Sequence, residues 1–281
     1  MSFLGLEGLH AFVTGAAGGI GSEIVRELLA NGCRVTAHDL RPITVLSPSD
    51  NLLLVNGDIS DESSISTTIA TAYARFGPIS LLAANAGITN EQSHPNIWEM
   101  PTETWDNVYR VNVRGTFLTI KHFLLCAKQH QEQHGGLVRN LSIVVTGSEC
   151  GKFGQAGHSE YASGKAGLQY GLVLTVKNEI VRLNPKGRIN AVAPGWVDTE
   201  LIGDRLDDPR ELYMESQGTV PLRKIARPQD VARMVAFLSS ERAAGHVSGQ
   251  CVSVDGGMEG RVVWREEEVT GRIDKRGNSQ G

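Results

Sequence analysis

Cysteine is scarce: Cys33, Cys126, Cys150 and Cys251 are spread over 281 residues with no C-x-x-C pair. Such spacing neither staples a small fold nor builds a thiolate cage for a metal, and it suits reduced thiols in a cytoplasmic protein. Positive charge is thin as well, with 27 Lys+Arg against 31 Asp+Glu and no basic block. The counterion-releasing surface that nucleic acid or an anionic membrane needs is therefore missing, and neither is expected as a partner. Long apolar runs are also absent. The longest, around Gly171–Val176, is far short of a bilayer span, and the opening residues MSFLGLEG carry no basic stretch ahead of an apolar core. Neither membrane insertion nor export is expected. Glycine, by contrast, is abundant: 32 residues without any repeating period, above the usual share of about 7%, which suggests tight turns near a ligand.

Short apolar, β-branched runs alternate with segments of three- and four-residue apolar spacing, the rhythm of repeated strand–helix–strand units. Strands are expected at His10–Thr14, Arg34–Asp39, Leu52–Val55, Ile79–Ala84, Leu141–Thr146, Arg188–Ala193 and Gln250–Val254. Several are apolar on both faces, as strands buried in a parallel sheet are. Helices are expected near Gly19–Asn31, Asp61–Phe76, Thr104–Asn112, Thr116–His134, Ser159–Leu183 and Asp230–Ser239. Right-handed crossovers then put helices on both faces of one sheet, an α/β fold with a single doubly wound domain over residues 1–258. Two stretches break the alternation. One, near residues 200–228, reads as a substrate lid; the other, 259–281, is a polar tail that reads as disordered or partner-bound.

The first strand runs directly into TGAAGGIG (Thr14–Gly21) and then a helix. Glycines there let the backbone turn sharply and let a phosphate approach N–H groups at the helix start. Similar loops occur at junctions that bind nothing, so context has to decide. A triphosphate-hydrolysing loop would need Lys and then Ser/Thr after its last glycine, whereas Gly21 is followed by Ser22–Glu23. The second strand ends at Asp39, eighteen positions past Gly21, where a carboxylate accepts hydrogen bonds from ribose hydroxyls. A 2′-phosphate would meet like charge there, which favours NAD over NADP, although the Arg41 guanidinium is placed to compensate. Tyr161-Ala-Ser-Gly-Lys165 opens a helical stretch, so phenol and ammonium project from one face. Ser148 lies just past the fifth strand, at the sheet edge where open α/β folds bind ligands. Taken singly, each has a plain reading: a solvated carboxylate, a surface Tyr–Lys pair, a turn serine.

Together, TGAAGGIG, Asp39, GDI at Gly57–Ile59, NAG at Asn85–Gly87, Asn112, Ser148, Tyr161/Lys165, PGWVDT at Pro194–Thr199 and SVDGG at Ser253–Gly257 form an ordered set. In kind, order and spacing this set resembles the short-chain dehydrogenase/reductase family over residues 5–258. The resemblance implies a Rossmann-like domain with a seven-stranded parallel sheet, assembled as a homotetramer or dimer around a nicotinamide dinucleotide. It implies that Tyr161 is the acid/base, Lys165 its activator and ribose anchor, Ser148 the donor to the substrate oxygen, and Asn112 the holder of a relay water. Gly15, Gly19, Ile20 and Gly21 would meet the pyrophosphate, and Asp58 and Ile59 the adenine. Asn85, Ala86 and Gly87 would lie on the adenosine ribose side, and Pro194, Val197 and Thr199 at the nicotinamide. A free phenol titrates near ~10, but an adjacent ammonium favours the phenolate. Two positions depart from the pattern: Ala84 stands where a second asparagine is common, and Gly147 where a second serine often precedes the functional one.

The expected activity is NAD-dependent interconversion of a secondary alcohol and a ketone on a small or medium-sized organic substrate. A non-redox cyclase or isomerase on the same scaffold, a dinucleotide-sensing binding protein and a methyltransferase are the alternatives; none of them needs the Tyr161/Lys165 pair. Glu149, Gln155, His158, His94, Trp98 and Trp196 are expected to wall the substrate space. An asparagine such as Asn112, near an expected helix end, has a cap as its plain reading. His130 and His134 lack the zinc-protease order and read as a solvated helix end, and Cys150 as a neutral wall thiol. Val262, Val263 and Trp264 are candidates to cover a neighbouring pocket.

Overall fold

Strands that are apolar on both faces need cover on both sides, and the computed structural model, which describes residues 2–90, 93–200, 202, 213 and 218–264, shows what supplies it. The strands are β1 (His10–Thr14), β2 (Arg34–Asp39), β3 (Leu52–Asn56), β4 (Leu81–Ala84), β5 (Ser142–Thr146), β6 (Arg188–Pro194) and β7 (Cys251–Val254). Among the described residues they form one seven-stranded sheet in the order β3-β2-β1-β4-β5-β6-β7, with every neighbouring pair parallel. Because side chains alternate between faces, the sheet divides the core in two. Ala11 and Val13 of β1, with Val35 and Ala37 of β2, pack under α1 (Gly19–Ala30) and α8 (Pro228–Ser239). Phe12 points the other way, into a core shared with α2 (Glu62–Phe76) and α4 (Thr116–His134). It is fully buried, and truncating such a ring to Ala costs about 3–5 kcal/mol.

The chain leaves β1 toward β2 on one side and returns to β4 on the other. That reversal opens a crevice at the carboxyl ends of β1 and β4. Two helical runs border it, and each differs from expectation. The segments read as Thr104–Asn112 and Thr116–His134 are one continuous run, from α3 (Thr102–Val108) through a π-helical stretch, Tyr109–Gly115, into α4. Asn112 is therefore mid-run and buried, not a cap. The run beginning at Ser159 comprises α6 (Ser159–Ala166), a second π stretch, Gly167–Leu172, and α7 (Val173–Leu183). Such widened turns are frequent at functional sites. Two short helices, α5 (Cys150–Phe153) and α9 (Glu241–Ala244), lie where no helix was expected.

Beyond β7 the chain folds back on the segment read as a lid. Val263 and Trp264 N–H groups both donate to the Gly218 carbonyl, at 2.6 and 3.1 Å, and Tyr213 Oη donates to the Trp264 carbonyl at 2.7 Å. The Arg223 guanidinium lies 3.6 Å from the Trp264 ring centre. Trp264 thus packs against Tyr213, Gly218 and Arg223 of its own chain. Residues 201, 203–212 and 214–217 of the lid and 265–281 of the tail lie outside the described residues. Among the described residues no helix is long and apolar enough to cross a membrane.

Candidate active site

β1 delivers the chain at Thr14 into the glycine loop. Gly15 has φ of +71°, and a Cβ on it would lie 2.9 Å from Ala86 Cα; a Cβ on Gly21 would lie 2.0 Å from the Gly15 carbonyl oxygen. Neither position has room for a side chain. Gly18 gives α1 no capping side chain, and the first turn holds no acid. The N–H groups left over at the helix start, around Gly19 and Ile20, make an anion cradle that a dinucleotide pyrophosphate fits.

Asp39 is fixed against that cradle. Its Oδ2 accepts the Ala17 N–H at 3.0 Å and its Oδ1 the Arg41 N–H at 2.9 Å, with Arg41 Nε 3.7 Å away. Past β3, Asp58 accepts the Ser60 amide at 2.8 Å and hydroxyl at 2.7 Å, and lies 3.6 Å from the Arg110 guanidinium. Burial would raise its pKa, but these donors and the cation hold it below the ordinary carboxylate value. Ile59, next in the chain, is buried. Asn85 laces three strand ends together: Nδ2 donates to the Thr14 carbonyl at 3.2 Å, and Oδ1 accepts from Thr146 Oγ1 at 3.1 Å. The Asn85 and Ala86 N–H groups both donate to Thr14 Oγ1 at 3.1 Å.

Lys165, on α6, is only 4% exposed, and its Nζ donates to the Thr146 carbonyl at 2.7 Å while lying 5.5 Å from the centre of the Tyr161 ring. Burial pulls its pKa down to about 8. One of its three N–H groups is used, leaving two for a ligand. Asn112 grips the backbone past β4: Nδ2 donates to the Ile88 carbonyl and Oδ1 accepts the Ile88 N–H, both at 2.8 Å. Ser148 Oγ accepts the Cys150 N–H at 3.2 Å, so its own proton stays available to donate. The Ser148 N–H donates to Gln169 Oε1 at 3.0 Å. Gln169 was not anticipated; its signal is a polar residue in an apolar helical run, paired with the departure at Gly147.

Above these groups runs the Pro194–Thr199 loop, tied down by its backbone. Gly195 N–H donates to the Val254 carbonyl at 3.1 Å, Ala226 N–H to the Trp196 carbonyl at 2.9 Å, and Asp198 N–H to the Ala226 carbonyl at 3.0 Å. The result is one cleft of about 660 Å³, walled by Gly15, Gly19, Ile20, Gly21, Asp39, Asp58, Ile59, Asn85, Ala86, Gly87, Ser148, Tyr161, Lys165, Pro194, Val197 and Thr199. Of the residues expected to act in catalysis or hold the dinucleotide, Asn112 is off the wall, its amide turned to Ile88. Glu149, Gln155 and Trp196 also line the cleft. His94, His158 and Trp98 do not: His158 is buried with Nε2 2.9 Å from His94 Nδ1, and Trp98 is 79% exposed. The Cys150 Sγ lies 3.1 Å from Glu149 Oε1 and 2.9 Å from Gln155 Oε1, with one proton to share between the two acceptors, and burial pushes its pKa up. His130 lies 2.9 Å from Tyr73 Oη and stacks on His134, and among the described residues no three His, Cys, Asp or Glu gather as a metal site.

A family model described as enoyl-(acyl carrier protein) reductase matches residues 15–259. The chain belongs to the short-chain dehydrogenase/reductase family. This dehydrogenase/reductase is 34% identical over 254 residues to cis-4-hydroxycyclohexanecarboxylate dehydrogenase of Sinomonas cyclohexanicum, a match covering 88% of this chain and 95% of that protein. It is 33% identical over 256 residues to acetoacetyl-CoA reductase of a Synechocystis species, covering 91% and 98% respectively. Ligand-free aldohexose dehydrogenase of Thermoplasma acidophilum superposes with a TM-score of 0.81 at 25% identity, over 94% of this chain and 99% of that one. The protein is thus an NAD(P)-dependent oxidoreductase of Rossmann type, acting on CH–OH or C=O groups.

Proposed function

We propose that this enzyme uses NAD to interconvert a secondary alcohol and a ketone on a small or medium-sized organic molecule, with Tyr161 as acid/base. The observation that carries the reading is that Ser148, Tyr161 and the buried Lys165 line the same cleft as the glycine cradle. When bound, the nicotinamide supplies the hydride acceptor or donor. Tyr161 takes the hydroxyl proton in oxidation and returns it in reduction, while Ser148 donates to the same substrate oxygen. The Lys165 ammonium, held on Thr146, favours the phenolate and offers its remaining N–H groups to the ribose. Gly15, Gly19, Ile20 and Gly21 hold the pyrophosphate, Asp58 and Ile59 flank the adenine, and Asn85, Ala86 and Gly87 lie on the adenosine ribose side. Pro194, Val197 and Thr199 face the nicotinamide. Asn112 keeps a spare N–H for a relay water. Each Asp39 oxygen already accepts one backbone N–H and retains a lone pair for a ribose hydroxyl, whereas a 2′-phosphate would meet like charge. The same reading makes the protein a cytoplasmic homo-oligomer, a tetramer or dimer, with the 1–258 domain catalytic.

A screen of alcohols with NAD and of carbonyls with NADH, followed by nicotinamide absorbance, tests this directly. Turnover of one class of secondary alcohol is the expected result. Tight dinucleotide binding with no absorbance change on any substrate would favour a sensor.

A further inference from the structure

Gln169 is a buried polar residue beside the reactive groups that this chemistry leaves without a part. It sits on the second π stretch, four residues past Lys165, and is 1% exposed. Its Oε1 accepts the Ser148 N–H at 3.0 Å, and its Nε2 donates to Cys251 Sγ on β7 at 3.3 Å. With the oxygen facing a donor and the nitrogen an acceptor, the partners define the orientation of the amide. Two glycines leave room for it. A Cβ on Gly147 would lie 2.6 Å from Gln169 Cδ, and one on Gly151 2.3 Å from Oε1. Gly147, the position that departs from the family pattern, and Gln169 are therefore two halves of one arrangement: the side chain comes from the helix instead of the loop. Asn112 makes a parallel join from the first π stretch, gripping Ile88 past β4. In both places a widened turn sets a buried amide against the loop at a strand's carboxyl end.

We propose that Gln169 is the positioning residue for Ser148. It ties the loop that carries the serine to the helix that carries Tyr161 and Lys165, so the two hydroxyls keep one spacing through the reaction. With the Ser148 N–H on Gln169 and the Cys150 N–H on Ser148 Oγ, the serine proton is aimed outward, to the substrate oxygen. This rests on the reading of Ser148 and Tyr161 given above.

A double-mutant cycle in the full-length protein, using a secondary alcohol that turns over in the screen, decides it. Gln169→Met keeps length and removes the acceptor; it is expected to lower kcat about 10- to 100-fold with the NADH dissociation constant unchanged. In a Ser148→Ala background the same change is expected to cost less than about twofold, because the group it acts through is gone. Single-turnover runs with enzyme in excess keep the slow variants measurable. An unchanged kcat in Gln169→Met, or an equal loss in both backgrounds, overturns the proposal while leaving the role of Ser148 standing. A Ser148→Ala variant as fast as the parent instead sinks the reading beneath it, and the proposal with it. Should Gln169→Met fail to fold, Cys251→Ala releases the other end of the amide. Its loss of kcat is expected to vanish in the Ser148→Ala background, and a loss that persists there, or no loss at all, overturns the proposal.

Discussion

Backbone makes the glycine-loop end of the cleft, where helix-start N–H groups form the cradle and Gly15 and Gly21 leave no space for a Cβ. Side chains make the other end, where Ser148, Tyr161 and Lys165 share the cleft wall and backbone groups hold Ser148 Oγ and Lys165 Nζ. The two ends should fail in opposite ways. The first is damaged by atoms added, the second by atoms removed.

The strongest attack on this contrast is Tyr161→Phe, which deletes one oxygen. Turnover is expected to fall by about 10²–10⁴-fold with NADH binding, read by fluorescence, preserved. Activity surviving in that variant would break the side-chain half of the comparison. Gly21→Ala attacks the other half with a single methyl, directed at a backbone oxygen. Overpacking of this kind costs about 1–3 kcal/mol, so both thermal stability and dinucleotide affinity should drop; wild-type affinity in Gly21→Ala would show that the loop has slack.

Lys165→Met sharpens the contrast, because here losing function should gain stability. The folded ammonium has a pKa of about 8 against an ordinary 10.5, so burial of the charge opposes folding. Between those values the unfolded chain binds more protons, and the stability of the parent rises as pH climbs through that window. Lys165→Met should be inactive yet more stable near neutral pH, by on the order of 1–2 kcal/mol after the lost bond to Thr146 is counted. Urea unfolding of both proteins should show the gap closing above about pH 8; a gap independent of pH would refute the buried-charge account. The smallest effect is expected from Asp39→Ala, which should narrow the preference for NAD over NADP by about tenfold, as loss of one partly screened charge contact would. Unchanged relative affinities would remove Asp39 from the ribose.

What could be read in advance follows the same division. The strands were legible because a parallel sheet buried on both faces writes itself as apolar runs, and only their ends moved, as when β4 begins at Leu81 instead of Ile79. The helical run from Thr102 to His134 reads as two helices in the sequence, with Asn112 in the place of a cap. In the fold, Gly115 is small because Ile59 packs against it: a Cβ there would lie 2.7 Å from Ile59 Cδ1. The motif residues on the cleft wall were legible from order and spacing. Gln169 was not, since its meaning depends on a glycine twenty-two positions earlier. His158 misled because closeness in sequence to Tyr161 says nothing about which way a side chain turns; its ring faces His94.

The return of the chain from Gly257 to Trp264 over Tyr213, Gly218 and Arg223 bears on how the protein should be handled at the bench. A shortened version ending at the final strand would strip the candidate lid of its support, and a fusion partner placed close behind Trp264 would crowd it.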